Sequence, residues 1–196
     1  VDQIVWRFKL APETINLNPT KTVAEVQVFG LSLKTGKLDE AVLRAIDKAI
    51  PFPSIFELTW RAKRKATAAF KRPSEADSAK WVVSEYFATD WVPADAPREP
   101  LPVALDLGAL YNRILTAIMP TLAHADEDIQ ARVDRIEAIR AKTRDVERIK
   151  ARLNREKQFN RRVAINTELR KANQELADLQ QGNAVRAESQ PAATNK

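Results

Sequence analysis

The sequence predicts an α+β fold, in which a mostly antiparallel sheet with two helices precedes a long C-terminal α-helix or helical hairpin of the coiled-coil type. Two shifts in composition predict this division. All four tryptophans and both tyrosines lie before residue 112, whereas residues 126–181 contain no glycine or proline and consist mainly of Ala, Leu, Arg, Lys, Glu and Gln. We therefore expect a globular domain over residues 1–120, a helical arm over 126–181 and a disordered tail over 183–196.

Two strand patterns open the globular half. Apolar residues alternate with others over residues 4–10, which is the period of two typical of a half-buried strand. After the loop APETINLNPT, the segment VAEVQVFGLSLK is apolar on both alternations, so we expect it in the centre of the sheet. The chain begins without Met and almost directly on the first strand, and we expect a lead segment to precede it.

A short helix and a basic β-hairpin follow. The segment DEAVLRAIDKAI places apolar residues at helical spacing, and Pro51 and Pro53 end this helix. Residues 54–61 and 66–72 predict two strands joined by a basic tip over residues 61–65.

The last strand and a second helix complete the globular half. The segment KWVVSEYFATDW predicts the strand, and residues 103–119 predict a helix that Pro120 ends. Because the strands follow one another through hairpins rather than crossovers, we expect a mostly antiparallel sheet. Trp6, Trp60 and Trp81 lie in phase with the apolar strand faces, which predicts core positions, with Trp91 as the exposed exception.

The long helix has recognisable ends. Carboxylates occupy residues 126–128, where they complement the helix dipole, and Gly182 stands where a C-cap glycine is expected. An unbroken helix over this span would be roughly 80 Å long. Such a helix cannot bury its apolar stripe alone, so it needs a partner or must fold back on itself.

The apolar spacing within this helix changes phase twice. The intervals from residue 133 to 146 and from 153 to 159 each fall one residue short of whole heptads. This favours an antiparallel hairpin, or a helix that meets different partners along its length. A parallel dimer is less favoured, although Asn166 and Asn173 continue a seven-residue series from Phe159 and would be polar core residues that fix its register.

Basic residues are concentrated in two places. The chain carries 32 Lys and Arg against 26 Asp and Glu, which permits a nucleic-acid or acidic protein partner without requiring one. The first cluster, a phosphate-binding surface or a solubilising loop tip, consists of Arg61, Lys63, Arg64, Lys65, Lys71 and Arg72. The second, either a solvated face with intrahelical ion pairs or a site for an acidic protein or phosphate, consists of Arg140, Arg144, Arg148 and Arg152.

Composition excludes several kinds of site. The absence of cysteine excludes disulfides, thiolate zinc sites and a cysteine nucleophile, and the single histidine, His124, cannot build a histidine-based metal site. Four glycines include no phosphate-binding loop motif. No apolar run approaches the roughly 18 residues of a membrane span, and no secretory signal is visible at the start of the given sequence. We expect a cytoplasmic protein with no membrane association, no cofactor and no metal.

A nuclease is the enzyme class whose residue requirements can be compared with this sequence. A restriction-type metal site needs carboxylates and a lysine that project from adjacent strands. Glu25 and Gln27 lie in the central strand, but Phe29 stands where the lysine should be, while Glu57 and Glu85 lie on other predicted strands. Scattered strand carboxylates of this kind are more typical of cross-strand salt bridges, so we predict no catalytic residue.

Several stretches of the chain carry a resemblance to a known family. They are LAPETINL, AEVQVFGLSLK, DKAIPFPSIFEL, FKRPSEADSAKWVVSEYFATDW, LPVALDLGALYNRIL and REKQFNRRVAIN. In this order they resemble a bacterial and archaeal family known only as a domain of unknown function. The resemblance implies a setting beside helicases and DNA methyltransferases in restriction-modification and antiphage-defence clusters, and no established catalytic residue.

Lys157, Phe159, Asn160 and Asn166 lie in the family's most recognisable helical motif, and such a polar, Phe-containing motif suits partner recognition. We therefore predict a non-enzymatic accessory or adaptor subunit of a bacterial restriction or antiphage-defence complex. It would assemble with a helicase or a DNA methyltransferase, and its arm would reach that partner or self-associate with another copy. The alternatives are a direct DNA-binding module that uses the two basic clusters, and an atypical or degenerate nuclease.

Overall fold

The computed structural model describes residues 1–77, 80–120, 124 and 127–181. It divides between Ala123 and His124 into two compact units, here named the sheet unit and the helical unit. Three sequence-based predictions lie outside the described residues: the first carboxylate of the long helix at position 126, the C-cap role of Gly182, and the disordered tail over 183–196.

The described part of the sheet unit contains six strands and three helices. The strands are β1 (Gln3–Leu10), β2 (Val26–Ser32), β3 (Ser54–Trp60), β4 (Lys63–Pro73), β5 (Trp81–Ala88) and β6 (Val92–Pro93). The helices are α1 (Pro12–Ile15), α2 (Glu40–Ala49) and α3 (Leu107–Ile118). The single turn α1 lies in the segment predicted to be a loop, where the Ala11 N–H donates to Thr14 Oγ1 and Asn16 adopts a positive φ of 55° that ends the turn.

The strand order is β1-β2-β3-β4-β5, and β6 pairs with the first residues of β4. All neighbouring strands are antiparallel except β2 and β3, which are parallel. The mostly antiparallel sheet is therefore confirmed, but the expectation of hairpins without crossovers is wrong at one place. There α2 carries the chain from the end of β2 back to the start of β3, as a parallel connection requires.

Helices α2 and α3 lie on opposite faces of the sheet. Leu43 of α2 packs in a buried cluster with Leu31, Phe56 and Leu58. Ile114 of α3 lines a groove whose β2 and β3 residues alternate along these strands with those of the buried cluster. Because successive strand residues point to opposite faces, α3 lies on the face opposite α2. Each helix begins at an aspartate whose side chain accepts a backbone N–H, Asp39 for α2 and Asp106 for α3.

The helical unit is an antiparallel pair of helices, α4 (Ile129–Arg155) and α5 (Phe159–Gln181). Val146 and Ile149 of α4 pack with Ile165 and Ala172 of α5, so residues far apart in sequence meet across the hairpin. The preference for an antiparallel hairpin agrees with this structure, whereas a coiled-coil geometry stays a prediction.

The buried series of α5 differs from the predicted one by one residue. Ile165 and Ala172 are buried, while Phe159, Asn166 and Asn173 are exposed, so the asparagines are not core residues. A break at residues 156–158 separates the two helices, and there the Glu156 side chain accepts the Gln158 backbone N–H. The spacing of the buried apolar residues starts anew after this break. None of the described helices is long and apolar enough to cross a membrane.

Candidate functional site

The structure does not gather the first basic cluster at the tip of the β3–β4 hairpin. The tip is the two-residue turn Arg61–Ala62, and Arg61 has a positive φ of 54°. Lys63, Arg64 and Lys65 belong to β4, where successive side chains alternate between the two faces. Arg64 donates to the carbonyl oxygens of Ala96 and Pro97, at 2.9 and 3.2 Å, on the face opposite α2. The predicted single phosphate-binding surface is therefore split between two faces.

Aromatic rings contact two other cations of this hairpin. The Arg61 guanidinium lies 4.6 Å from the centre of the Trp60 ring, and Lys65 Nζ lies 4.9 Å from that of Trp91. The two tryptophan rings also contact each other, with centroids 6.3 Å apart. Trp91 is thus partly buried against Trp60 rather than the exposed exception that its position before a proline-rich segment suggested.

Lys71 is a buried structural residue. Its side chain is 1% exposed, and Nζ donates to the carbonyl oxygens of Asp47 and Ile50, both at 2.5 Å, at the end of α2. The Asp47 carboxylate lies 3.5 Å from the same Nζ. Lys71 is therefore not available to a phosphate, which corrects the prediction for this residue, and its neighbour Arg72 is paired with Glu75 at 3.5 Å.

The surroundings of Lys71 form a closed network of polar groups. Tyr86 donates its hydroxyl hydrogen to the Asp47 carboxylate, and the Tyr111 hydroxyl donates to the Ala69 carbonyl oxygen at 2.5 Å while accepting the Lys71 N–H at 3.0 Å. Burial raises the pKa of Asp47 and lowers that of Lys71, because both charged forms lose contact with water. The network ties α2 and α3 to β4 from inside the core, so its role is structural.

The carboxylates considered for a nuclease are held by cations or lie apart. Glu25 pairs with Lys9 at 3.0 Å, and Glu57 receives two hydrogen bonds from Arg98, at 2.8 and 2.6 Å. These bonds hold the pKa of Glu57 below its usual value. Glu85 lies on β5, and in the described part of the chain no three His, Cys, Asp or Glu residues come together as a metal site.

The arginine face of α4 is largely an array of ion pairs. Arg148 pairs with Asp145 at 2.8 Å, and Arg152 reaches across the hairpin to Glu168 of α5. Arg140 and Arg144 also have interaction partners. Of the alternatives for this cluster, the geometry favours a solvated face stabilised by pairing.

The end of the helical hairpin has a different character. Residues 155–163, here named the helical tip, contain four exposed cations, and none of them forms an ion pair with any described residue; they are Arg155, Lys157, Arg161 and Arg162. Phe159 is 77% exposed there. Three of the four predicted partner-binding residues, Lys157, Phe159 and Asn160, therefore lie together, while Asn166 is exposed farther along α5.

The first strand carries a surface that sequence reasoning missed. Ile4, Val5, Trp6 and Phe8, here named the β1 surface, are 48%, 39%, 60% and 58% exposed. A bulge at Arg7 shifts the pairing with β2, so that Trp6 and Phe8 point to opposite faces of the sheet. The core position predicted for Trp6 is wrong, because the alternation that predicts a half-buried strand reveals neither the bulge nor that no described element covers this ring.

An apolar groove adjoins this surface. It has a volume of about 490 Å³ on the face opposite α2, and Phe8, Val28, Ile55 and Leu101 contribute to its lining. The Glu57–Arg98 ion pair lies along its rim. Exposed apolar patches are typical of interaction surfaces, and an apolar groove of this volume is typical of a ligand-binding pocket.

Comparison with known proteins yields one match. The family model described as "Domain of unknown function (DUF4391)" matches residues 1–176 of the chain. No curated protein and no solved structure matches the chain.

Proposed function

We propose that this chain, which belongs to the DUF4391 family, acts as a non-enzymatic adaptor subunit in a bacterial restriction or antiphage-defence complex. The observation that supports this proposal is the β1 surface, where four large apolar side chains are in contact with water at one edge of the sheet. The membership of an uncharacterised family agrees with the sequence-based expectation, and the setting that the resemblance implies gives the proposal its class of partner.

The physical argument begins with the edge position of β1. An edge strand presents unpaired N–H and C=O groups, and proteins commonly protect such edges with charges, prolines or a covering element. β1 has a bulge and two cations, but it also carries Ile4, Trp6 and Phe8, whose exposure is costly at about 25 cal/mol per Å² of apolar surface. A partner that covers this edge would remove both costs at once.

The mode of binding follows from this edge. An extended segment of a partner can add a strand to β1 through main-chain hydrogen bonds, while alternate side chains enter pockets on each face. The groove beside Phe8 is suited to one apolar side chain of that segment. We propose that the segment belongs to a helicase or a DNA methyltransferase.

The experiment is capture of partners from the native operon by the tagged full-length protein, with identification by mass spectrometry. The variant Trp6→Thr/Phe8→Thr keeps β-forming residues at exposed positions and should therefore leave the fold intact. We expect it to reduce the captured helicase or methyltransferase by about tenfold, because central aromatic residues dominate interface energies.

A matched control lies on the other edge strand. Val82 of β5 is 42% exposed, so Val82→Thr removes exposed apolar surface away from β1 and should retain capture. Equal capture by wild type and the β1 variant would contradict the proposal. A homodimer that the β1 variant dissolves, seen by analytical ultracentrifugation, would instead show that a second copy occupies this edge.

A further inference from the structure

Charge pairing differs along the helical hairpin. Away from its end, most cations are matched by carboxylates, as in Lys142 with Glu175 at 2.5 Å and Lys150 with Glu147 at 2.8 Å. The helical tip has four exposed cations and one acid, Glu156, whose carboxylate accepts the Gln158 backbone N–H. The helical tip thus carries a net charge of +3 that no described residue neutralises.

The placement of two of these cations does not help their helix to fold. Arg161 and Arg162 lie near the start of α5, whose first turn contains no acidic residue. The dipole of a helix repels cations at this end, so the two arginines are unfavourable there for α5 itself. Their positive charge is available to an anion from outside the chain.

An exposed aromatic ring lies among the same cations. Phe159 is 77% exposed, and Val163, one turn later on the same side of α5, is 50% exposed. Phosphates are bound by arginine and lysine, and unpaired bases stack on exposed aromatic rings. An acidic peptide would use the cations but has no need of the ring, and a base-paired duplex does not offer its bases for stacking.

We infer that the helical tip binds single-stranded nucleic acid. Arg155, Lys157, Arg161 and Arg162 contact the phosphates, and Phe159 provides the surface on which a base stacks. This inference does not rest on the proposed adaptor function, because it uses residues of the helical unit, whereas the adaptor proposal uses β1.

The test measures fluorescence anisotropy of labelled oligothymidylate with the full-length protein over a range of salt concentrations. Arg161→Gln/Arg162→Gln should weaken binding by about tenfold or more and reduce the slope of log K against log salt by about 1.4, since each single-strand phosphate contact contributes about 0.7. Phe159→Ala should weaken binding by about 5- to 150-fold and leave that slope unchanged, because stacking releases no counterions.

The control removes the same charge from the paired region. Arg148→Gln/Lys150→Gln deletes two cations that are already matched by carboxylates, and it should change affinity by no more than about twofold. Arg161→Lys/Arg162→Lys keeps the charge and should retain the wild-type salt slope. Circular dichroism establishes that each variant keeps its helices.

Three outcomes would overturn the inference. The first is an equal loss of binding in the tip and control variants, which would indicate general electrostatic attraction. The second has two parts: the Phe159→Ala variant binds oligothymidylate with wild-type affinity, and the wild-type protein binds polyglutamate as tightly as oligothymidylate. This would identify an acidic protein as the ligand. The third is tighter binding to a duplex than to the single strand.

Trp6→Thr/Phe8→Thr should bind the oligonucleotide normally, so failure of this inference is distinguishable from failure of the adaptor proposal.

Discussion

The two units of the protein distribute charge and apolar surface in opposite ways. The sheet unit buries an ion pair, Lys71 with Asp47, and leaves the rings of Trp6 and Phe8 in water. The helical unit buries a narrow apolar seam and one charged residue, Arg132. Most of its other charges lie at the surface, and most of its cations away from the end are paired, whereas those of the helical tip are not. The contrast corresponds to the two ligands that we propose, an extended polypeptide for the sheet unit and single-stranded nucleic acid for the helical unit.

The largest effect is expected inside the sheet unit. Lys71→Met leaves the Asp47 carboxylate buried without its cation, which should lower the free energy of unfolding by about 3–5 kcal/mol. All four tryptophans lie in this unit, so urea denaturation followed by tryptophan fluorescence reports it selectively. Lys63→Met removes an exposed lysine from the same strand and should change stability by less than about 0.5 kcal/mol.

A double variant separates charge from packing. If the penalty arises from the unpaired carboxylate, Lys71→Met/Asp47→Asn should be clearly more stable than the sum of the two single effects predicts. Strict additivity would mean that Lys71 acts independently of the Asp47 carboxylate, through packing and its hydrogen bonds to carbonyl oxygens. The contrast between a charged interior and a charged surface would then lose its main support.

A smaller effect is expected at the seam of the helical unit. Ile165→Ala should cost about 2 kcal/mol, toward the low end for a buried isoleucine, because two helices can close partly over the space. Its neighbour Asn166 is exposed, and Asn166→Ala should change stability by less than about 0.5 kcal/mol. Urea denaturation followed by helical circular dichroism measures both, and a larger cost at Asn166 than at Ile165 would restore the heptad phase expected from the sequence.

The sequence predicted the larger features of both units from composition and period. The absence of glycine and proline over residues 126–181 marked the helical unit, and its phase changes indicated a hairpin. The break at residues 156–158 could not be located, because neither residue type marks it and Glu156 supplies the polar contact instead. The parallel pairing of β2 with β3 was missed because periodicity does not specify strand order.

The candidate sites were predictable only in part. Lys157, Phe159 and Asn160 lie together as expected, because they are close in sequence and remain so at the helical tip. Lys71 was wrongly assigned because its carboxylate partner lies 24 residues away, on α2. The β1 surface was missed because exposure depends on which elements cover a strand, and this information is not local.

The smallest expected effect is on the pH dependence of stability. It can be compared for one arginine–carboxylate pair in the helical unit and one in the sheet unit. Arg135 binds the Glu127 carboxylate at 2.6 Å and lowers the pKa of Glu127 from 4.5 to about 2. Between these pH values the unfolded chain binds more protons, so this pair stabilises the fold fully above pH 4.5, and the contribution is lost as the pH falls towards 2. Glu127→Gln should therefore make the urea midpoint by circular dichroism less sensitive to pH in this window.

Arg135→Gln removes the cation that causes this shift, so it should flatten the same pH dependence as Glu127→Gln does. Arg98 likewise lowers the pKa of Glu57 in the sheet unit, and Glu57→Gln should therefore flatten the acid side of the profile followed by tryptophan fluorescence. If Glu127→Gln kept the wild-type slope, the Glu127–Arg135 pair would contribute nothing to stability, and the contrast between paired cations and the unpaired cations of the helical tip would be weaker.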